Sequence, residues 1–292
     1  MYPRSFEYAR AESVEHAIEL LREHGEDARV LAGGASLIPL MKLRLANPTH
    51  LIDIGRLRQL AGVQQDDGSG GFVVGALTRH VDLERHVELG RRLPIVRDAA
   101  ASIGDAQVRN MGTIGGGLAE ADPAGDWPPV LLALDGAVRV QGPSGERIIQ
   151  ASELFVDAYT TSLAHEELIT EVLLPARVAG SAHLKLERRA GDFAVANCAV
   201  ALTTDAAGER CESVRIGLGG VSLSAMRVPA AEAILMGEPP SEPRLAEAAV
   251  AVANADESYD DVRASAEYRR HLGGVLFRRA FDLAWRRATS GR

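Results

Sequence analysis

The sequence predicts a mixed α+β fold in two parts that differ in how strands and helices are ordered. In the first part, short apolar runs alternate with segments of helical periodicity, and glycine clusters interrupt the pattern twice. In the second part, three strand-like runs come first and helices follow, which is typical of α+β domains. The chain has 292 residues, 46% of them hydrophobic, so it can hold one large domain or two to three small ones.

The first fifty residues or so predict a compact unit of helices and short strands. Apolar residues recur there at helical spacing, Ser13 can cap the first turn of that helix, and Gly25 can end it. The expected elements are a helix over 13–23, a strand over 29–32, a helix over 37–45 and a strand over 51–54.

The following segment predicts further strands and helices, including a β-hairpin. A Gly/Asp-rich turn precedes the first strand, and Thr78 can cap the helix after it. Gly142-Pro143-Ser144-Gly145 separates the two strands of the hairpin. The expected elements are a strand over 72–77, helices over 78–89, 94–103 and 128–134, hairpin strands over 137–140 and 146–149, and a strand over 168–174.

A domain boundary is expected at about residues 178–181. Beyond it, polar turns separate three strands, and helical periodicity fills the remainder. We interpret Gly217-Leu218-Gly219-Gly220 as a structural turn. The expected elements are strands over 183–188, 194–202 and 213–218 and helices over 230–235, 244–254 and 266–289.

Charge and cysteine content narrow the classes of function. The net charge of −8 disfavours nucleic acid as a partner, because that affinity depends on Lys and Arg. Cys198 and Cys211 form no C-x-x-C pair, so we expect buried free thiols and no iron–sulfur cluster, which needs about four ligands. The sequence shows no signal peptide, and no apolar run reaches the roughly 18 residues of a membrane span, so we expect a cytoplasmic protein.

The two glycine clusters are the strongest sign of a binding site. The first is Ala32-Gly33-Gly34-Ala35-Ser36, and the second is Thr113-Ile114-Gly115-Gly116-Gly117, with Asp122 and Asp126 soon after it. We interpret each as a strand-end turn, because glycine accepts φ > 0 and the exposed N–H groups of such turns hold phosphate oxygens. Two such turns suggest a dinucleotide-sized ligand. Neither matches G-x-G-x-x-G opening a long helix, which disfavours a Rossmann dehydrogenase.

No side chain stands out as a catalytic nucleophile, acid or base. Ser36 and Ser102 lie in no G-x-S-x-G setting. The histidines expected on solvated helix surfaces are His16, His24, His80 and His86. A dinucleotide-sized site without such groups suggests that a cofactor carries the chemistry.

Longer motifs are similar to those of a known family. The first cluster with Leu37-Ile38-Pro39, and the run Arg109-Asn110-Met111-Gly112-Thr113-Ile114-Gly115-Gly116, resemble signatures of the FAD-binding medium subunit of molybdenum hydroxylases. This is the xanthine dehydrogenase and carbon monoxide dehydrogenase family. The resemblance covers nearly the whole chain. The other matching segments are Phe6-Glu7-Tyr8, Ala121-Asp122-Pro123, Lys185 with Arg188-Arg189, Asp192-Phe193-Ala194 and Ser265-Ala266-Glu267-Tyr268-Arg269.

The resemblance implies a fold of two domains. Residues 1–177 would form a two-lobed FAD-binding domain of the vanillyl-alcohol-oxidase type, with lobes of about 1–56 and 57–177. Residues 178–292 would form a small C-terminal α+β domain of the carbon monoxide dehydrogenase flavoprotein type, with an antiparallel sheet and helices.

The resemblance also implies which residues contact FAD. Both glycine clusters would wrap the diphosphate and the ribityl chain. The other implied contacts are Asp126, the backbone of Ile169 at the flavin ring, the basic side chain of Lys185 near the ring, and Phe193 near the flavin. The chain departs from many relatives at three positions. Ala35 stands where a polar or ring-bearing residue is common, Gly117 where Asn is common, and Glu120 where Asn or His is common. No catalytic or metal-binding residue is implied.

By this resemblance the chain is the FAD-binding electron-transfer subunit of a heterotrimeric molybdenum hydroxylase. It would take electrons from iron–sulfur clusters on a small partner chain, supplied by a molybdenum cofactor on a large chain, and pass them to NAD, a quinone or oxygen. The substrate stays open among carbon monoxide, an N-heterocycle and an aldehyde. Two other hypotheses stay open as well, a self-contained flavin-dependent oxidase and a scaffold subunit that keeps the fold without FAD.

Overall fold

The computed structural model describes residues 2–256 and 258–290. The strands are β1 (Glu7–Arg10), β2 (Ala28–Leu31), β3 (His50–Asp53), β4 (Val63–Gln65), β5 (Phe72–Gly75), β6 (Ala137–Gly142), β7 (Gly145–Gln150), β8 (Phe155–Asp157), β9 (Thr160–Thr161), β10 (Leu168–Leu174), β11 (Gly180–Glu187), β12 (Ala194–Thr204), β13 (Cys211–Gly219) and β14 (Met226–Arg227). The helices are α1 (Val14–His24), α2 (Leu37–Lys42), α3 (His80–Arg85), α4 (Val87–Arg92), α5 (Pro94–Ser102), α6 (Ala106–Met111), α7 (Ile114–Glu120), α8 (Trp127–Ala133), α9 (Ala151–Leu154), α10 (Pro229–Leu235), α11 (Glu242–Ala253) and α12 (Ala266–Thr289).

The N-terminal unit is built on a small parallel sheet with the strand order β1-β3-β2. The Ser13 hydroxyl caps α1 by accepting from the His16 N–H at 3.1 Å, as its position in the sequence predicts. The apolar face of α1 packs with β3 around Ile52, and this cluster forms a core of its own. The central strand β3 is paired on both sides, so the chain leaves β2 at an edge of the sheet, directly before the first glycine cluster.

The second unit is an antiparallel sheet with the order β4-β5-β10-β6-β7. The hairpin of β6 and β7 turns at Gly142 and Gly145, as the sequence predicts. Helices α3, α4, α5, α7 and α8 supply most of the other side chains in the core beneath this sheet, and Trp127 lies in that core. Three alanines from the C-terminal part, Ala199, Ala201 and Ala225, belong to the same core, so the two parts share buried surface.

The C-terminal part is an antiparallel sheet with the order β11-β12-β13-β14, covered by α10, α11 and α12. The α+β class with an antiparallel C-terminal sheet, predicted from the sequence, is therefore confirmed. Close packing requires glycine at two positions of this sheet. A Cβ at Gly180 would lie 2.8 Å from the Ala288 nitrogen of α12, and one at Gly217 would lie 2.8 Å from the Pro129 carbonyl carbon of α8.

Two expectations about helices are wrong. The helix expected from Thr78 to about Leu89 is two helices, α3 and α4, that meet at His86. His86 caps α4 because its Nδ1 accepts from the Leu89 N–H at 3.1 Å. Thr78 caps nothing, since its hydroxyl donates to the Gly62 carbonyl at 3.0 Å. The helix expected over 37–45 ends at Lys42.

The placement of His80 also differs from the expectation of a solvated surface. Its side chain is 5% exposed, and its Nδ1 accepts a hydrogen bond from the Trp127 indole N–H at 3.2 Å. Burial lowers the pKa of His80 to about 4, with the nearby Arg109 guanidinium as the second cause. His80 is therefore a neutral core residue at physiological pH.

Both cysteines are buried. Cys198 and Cys211 are free thiols, and burial raises the pKa of Cys211 to about 12. Within residues 2–256 and 258–290, no helix has both the length and the apolar composition that a membrane crossing needs.

We predict that Gly217→Ala destabilises the chain by about 1–3 kcal/mol, the usual effect of forcing an atom into a packed interior. The added methyl would overlap the backbone of Pro129 and push α8 away from the C-terminal sheet. Urea unfolding followed by circular dichroism measures the change. Gly68→Ala is the matched control, because Gly68 is exposed and its added Cβ would meet only an Asp66 oxygen at 3.7 Å. Equal unfolding free energies for the two variants would contradict this packing.

Candidate cofactor site

The 32–36 loop, which is the first glycine cluster, forms a run of free backbone donors. It joins β2 to α2, and Gly34 adopts a left-handed φ of +70° that favours glycine. The N–H groups of residues 33–37 donate to no acceptor in the described part of the chain. All residues of the loop are half-exposed. Successive N–H groups without an acceptor can form an anion site, and the phosphate-binding role of this loop stays a prediction.

The second glycine cluster is not a strand-end turn, so that part of the prediction is wrong. Thr113 caps α7 by accepting from the Gly116 N–H at 3.3 Å, and Gly115, Gly116 and Gly117 lie in the helix with no positive φ. The N–H groups of Ile114 and Gly115 donate to the carbonyls of Thr78 and Ala76, and that of Gly117 donates to Thr113. Unlike the loop, this cluster has its backbone donors already engaged.

Close packing is what requires glycine at two positions of α7. A Cβ at Gly115 would lie 2.5 Å from the Ala76 Cβ, and one at Gly117 would lie 3.0 Å from the Trp127 ring. Gly116 is the exposed residue of the three, and its added Cβ would meet only the Thr113 hydroxyl, at 2.9 Å. The bare backbone at Gly116 is therefore the part of this helix that a ligand can approach.

The two clusters meet at Gly33. A Cβ there would overlap the carbonyl oxygen of Met111 and would lie 2.9 Å from the Gly112 Cα, immediately before α7. A second link joins the loop to the other end of α7, where the Ser36 hydroxyl donates to a carboxylate oxygen of Glu120. The loop with its free donors and the exposed Gly116 of α7 thus lie on adjoining parts of one surface.

The C-terminal end of α7 carries partly buried acidic groups. Ala121 and Tyr159 both adopt left-handed φ angles, 49° and 54°, and the Tyr159 N–H donates to the Ala121 carbonyl at 3.1 Å. Burial raises the pKa of both Glu120 and Asp122. Burial, followed by the charge of Asp122, raises the pKa of the Tyr159 phenol to about 12. Non-glycine residues in this conformation are uncommon, and they often mark functional sites.

Asp126 and Lys185 form a buried ion pair beyond this acidic end. The Lys185 ammonium donates to Asp126 Oδ2 at 3.1 Å and to the Ser102 carbonyl at 2.8 Å. The Ser102 hydroxyl donates to the other Asp126 oxygen at 3.4 Å. Burial raises the pKa of Asp126, and the Lys185 ammonium opposes that rise. Both carboxylate oxygens of Asp126 therefore have partners within the chain.

His183 completes this group. Its Nε2 lies 3.5 Å from Asp126 Oδ1, and neither ring nitrogen makes a hydrogen bond within the described residues. The side chain is fully buried, and burial lowers the pKa of His183 to about 3. The imidazole beside the pair is therefore neutral, and the second carboxylate near the Lys185 ammonium is that of Glu187, at 3.5 Å.

The remaining predicted site residues, Ile169 and Phe193, lie in different surroundings. Ile169 is buried on β10 next to Thr170, whose carbonyl accepts from the Ala76 N–H at 2.9 Å. The Ala76 carbonyl also accepts from the Gly115 N–H. Ala76 therefore links the strand that carries Ile169 to the start of α7. Phe193 is 44% exposed between β11 and β12, with the Arg263 guanidinium 5.5 Å from its ring centre.

A separate cavity of about 290 Å³ lies between α1 and the antiparallel sheet of the second unit. It shares no lining residue with the surface described above. Its arginine, Arg139, is already paired with Glu171 at 2.7 Å and with Glu146 at 3.7 Å. An anionic cofactor therefore fits the free donors of the 32–36 loop better than it fits this cavity.

Sequence reasoning missed the partners that complete the site. Ser36 and Glu120 are 84 positions apart, Ser102 and Lys185 are 83 apart, and no local pattern links either pair. His183, Tyr159 and Arg263 carry no motif of their own. The fold alone brings these side chains together.

Comparisons with known proteins give matches over nearly the whole chain. The sequence pattern described as "FAD binding domain in molybdopterin dehydrogenase" matches residues 4–177, and that described as "CO dehydrogenase flavoprotein C-terminal domain" matches residues 181–284. The chain is 40% identical to the carbon monoxide dehydrogenase medium chain of Afipia carboxidovorans, over 99% of both chains. It is 41% identical to the nicotine 6-hydroxylase medium subunit of Paenarthrobacter nicotinovorans, over 93% of this chain and 94% of that one.

The fold supports the same relationship. A chain of the carbon monoxide dehydrogenase of Hydrogenophaga pseudoflava, solved in a form that lacks the Mo-pyranopterin moiety of its cofactor, superposes with a TM-score of 0.94. The two chains are 40% identical, and the match covers 98% of this chain and 99% of that one. The resemblance inferred from the motifs is thereby confirmed, and the chain belongs to the family of FAD-binding medium chains of carbon monoxide dehydrogenase and related molybdopterin dehydrogenases.

Proposed function

We propose that this chain binds one FAD non-covalently and acts as the electron-transfer subunit of a heterotrimeric molybdenum hydroxylase. The observation that carries this proposal is the run of unpaired N–H groups at residues 33–37, placed against the exposed backbone of α7. When bound, FAD supplies redox chemistry that the side chains of a protein cannot supply. No His or Cys lies within either glycine cluster to form a covalent bond with it.

The 32–36 loop holds the diphosphate, with Gly33, Gly34, Ala35 and Ser36 as donors and Ala32 at its entry. The 113–117 segment supports that loop and presents bare backbone to the ligand at Gly116. Two features support this division of roles: the donors of the loop are free, and those of α7 are engaged. Phosphate oxygens need donors that nothing else occupies.

Lys185 approaches the flavin ring, and Asp126 acts through it. Both Asp126 oxygens already have partners in the chain, so its role is to hold the ammonium in place. Ile169 offers backbone at the ring, and Phe193 with Arg263 borders its outer edge. A fixed, buried cation beside a redox ring stabilises negative charge that develops there on reduction.

The partner chains carry the other centres. In the described part of the chain, no three His, Cys, Asp or Glu side chains lie close enough to hold a metal ion. The relatives are named medium chain and medium subunit, which indicates further chains. We assign iron–sulfur clusters to a small partner and the molybdenum cofactor to a large one, with residues 1–177 of this chain as the FAD-binding domain and 178–292 as the C-terminal domain.

The substrate of the complex and the electron acceptor are separate questions. Two relatives of nearly equal identity, 40% and 41%, are named for carbon monoxide and for nicotine, so similarity selects neither. Substrate oxidation takes place on the large chain, and NAD, a quinone or oxygen is the external acceptor. The two buried free thiols favour a reducing compartment such as the cytoplasm.

We predict that Gly33→Ala weakens FAD binding at least about tenfold, or about 1.4 kcal/mol, while the fold remains. The added methyl would overlap the Met111 carbonyl and push the loop away from α7. Quenching of flavin fluorescence gives the Kd, and circular dichroism checks the fold. Gly273→Ala is the control, since its Cβ would make ordinary contacts, at 3.5 Å or more, in the distant α12. An unchanged Kd in the Gly33 variant would exclude the loop as the diphosphate site.

We also predict that the lone chain is a flavoprotein but not a hydroxylase. Acid precipitation should release its flavin into the supernatant, and an organic substrate should leave the flavin oxidised. Adding the small and large partner chains should restore substrate-dependent bleaching of the flavin absorbance. A colourless native protein would support the scaffold hypothesis. Bleaching of the lone chain at roughly 1 s⁻¹ or faster, within the usual range of enzyme turnover, would support a self-contained oxidase.

A further inference from the structure

Glu120 lies where a negative charge opposes the proposed ligand. Its carboxylate accepts a hydrogen bond from the Ser36 hydroxyl. The N–H of the same Ser36 is one of the free donors of the 32–36 loop. An ionised carboxylate one hydroxyl away from a bound diphosphate would repel it. The site therefore needs some means of removing that charge.

The polarity of the Ser36–Glu120 hydrogen bond offers that means. A hydroxyl has one proton to donate, and an ionised carboxylate can only accept. While Glu120 is ionised, the Ser36 hydroxyl donates its one hydrogen bond to Glu120 and can present only oxygen lone pairs to a phosphate. Once Glu120 is protonated, its own O–H can donate to Ser36 Oγ. The Ser36 hydroxyl is then free to donate to a phosphate oxygen.

We propose that Glu120 is a cofactor-binding residue that acts in its protonated form, so that FAD binding takes up one proton and reverses the Ser36–Glu120 hydrogen bond. This inference rests on the function proposed above. The balance is simple, because one proton moves from solvent to Glu120 and no covalent bond within the chain or the FAD changes. The family resemblance assigns no such role to this position, where Asn or His is common.

The surroundings of Glu120 favour the protonated form. Burial is the main cause that raises the pKa of its carboxyl, the charge of Asp122 raises it further, and the bond from Ser36 opposes the rise. Tyr159, on the hairpin of β8 and β9, faces the same two carboxylates, and its own raised pKa of about 12 keeps it neutral. Burial raises the pKa of Asp122 as well, and the charge of Arg263 is among the causes that oppose that rise. A bound diphosphate adds two negative charges and moves the pKa of Glu120 further upward.

The sign of the pH effect follows from this proton uptake. Above the pKa of Glu120 in the FAD-free chain, binding must capture a proton, so the Kd rises with pH. The limit is tenfold per pH unit for one proton. Below that pKa, Glu120 is already protonated and the Kd is constant.

The test measures the Kd of FAD by fluorescence quenching across about pH 5 to 9, a range that covers the usual pKa of Glu and its upward shifts. The wild-type chain should lose affinity as pH rises. Glu120→Gln should bind FAD with a Kd that does not depend on pH and, at pH 9, more tightly than the wild type. An amide can donate to Ser36 Oγ and carries no charge. Asp122→Asn is the matched control, since it removes a neighbouring carboxylate that does not bond to Ser36. It should retain the pH dependence, with its onset at a lower pH because the charge of Asp122 raises the pKa of Glu120.

Proton uptake gives a second readout that does not depend on affinity. Titration calorimetry in two buffers of different ionisation enthalpy should show uptake approaching one proton per FAD at the upper pH for the wild type and none for Glu120→Gln. Parallel pH profiles for these two proteins, or loss of the dependence in Asp122→Asn alone, would overturn the inference and leave the proposed function intact. Failure of the wild type to bind FAD at every pH would overturn both.

Discussion

The candidate site depends on one steric constraint, the approach of the Gly33 backbone to Met111 and Gly112. No side-chain atom fits between them, because a Cβ on Gly33 would overlap the Met111 carbonyl oxygen. This contact sets the 32–36 loop of the N-terminal unit against the start of α7 in the second unit. The loop that carries the free N–H groups then lies beside the other unit. A binding site between two separately built cores becomes possible because one residue lacks a side chain.

The C-terminal part fixes the other end of this surface. The Gly220 N–H donates to the Pro123 carbonyl at 2.6 Å, and the Asn197 amide donates to the Gly125 carbonyl at 3.0 Å. Arg269 is buried and donates to the carbonyl of Gly220, which holds that end of the sheet in place. The segment between α7 and α8 is therefore bonded to β12 and to the residue after β13. Asp126, the partner of Lys185 of β11, is the last residue of this segment.

Local pattern predicted much of the fold and little of the site. Helical spacing and the Ser13 cap identified α1, and turn residues identified the hairpin of β6 and β7, because those signals lie within a few residues of each other. Three glycines at 115–117 have poor helix propensity, yet they lie in a helix whose first N–H groups, those of Ile114 and Gly115, donate to the distant Thr78 and Ala76. His80 is buried for a similar reason, a partner 47 positions away. The family resemblance indicated the right segments, and the contacts that join them are set by the fold.

Amide hydrogen exchange of the chain with and without FAD measures whether the 32–36 loop holds the diphosphate. The amides of residues 33–37, which have no acceptor in the described chain, should exchange at least about tenfold more slowly once FAD supplies phosphate oxygens. The amides of Ile114, Gly115 and Gly117 already have backbone acceptors and should change much less. Unchanged exchange at residues 33–37 in a chain that has bound FAD would contradict the account.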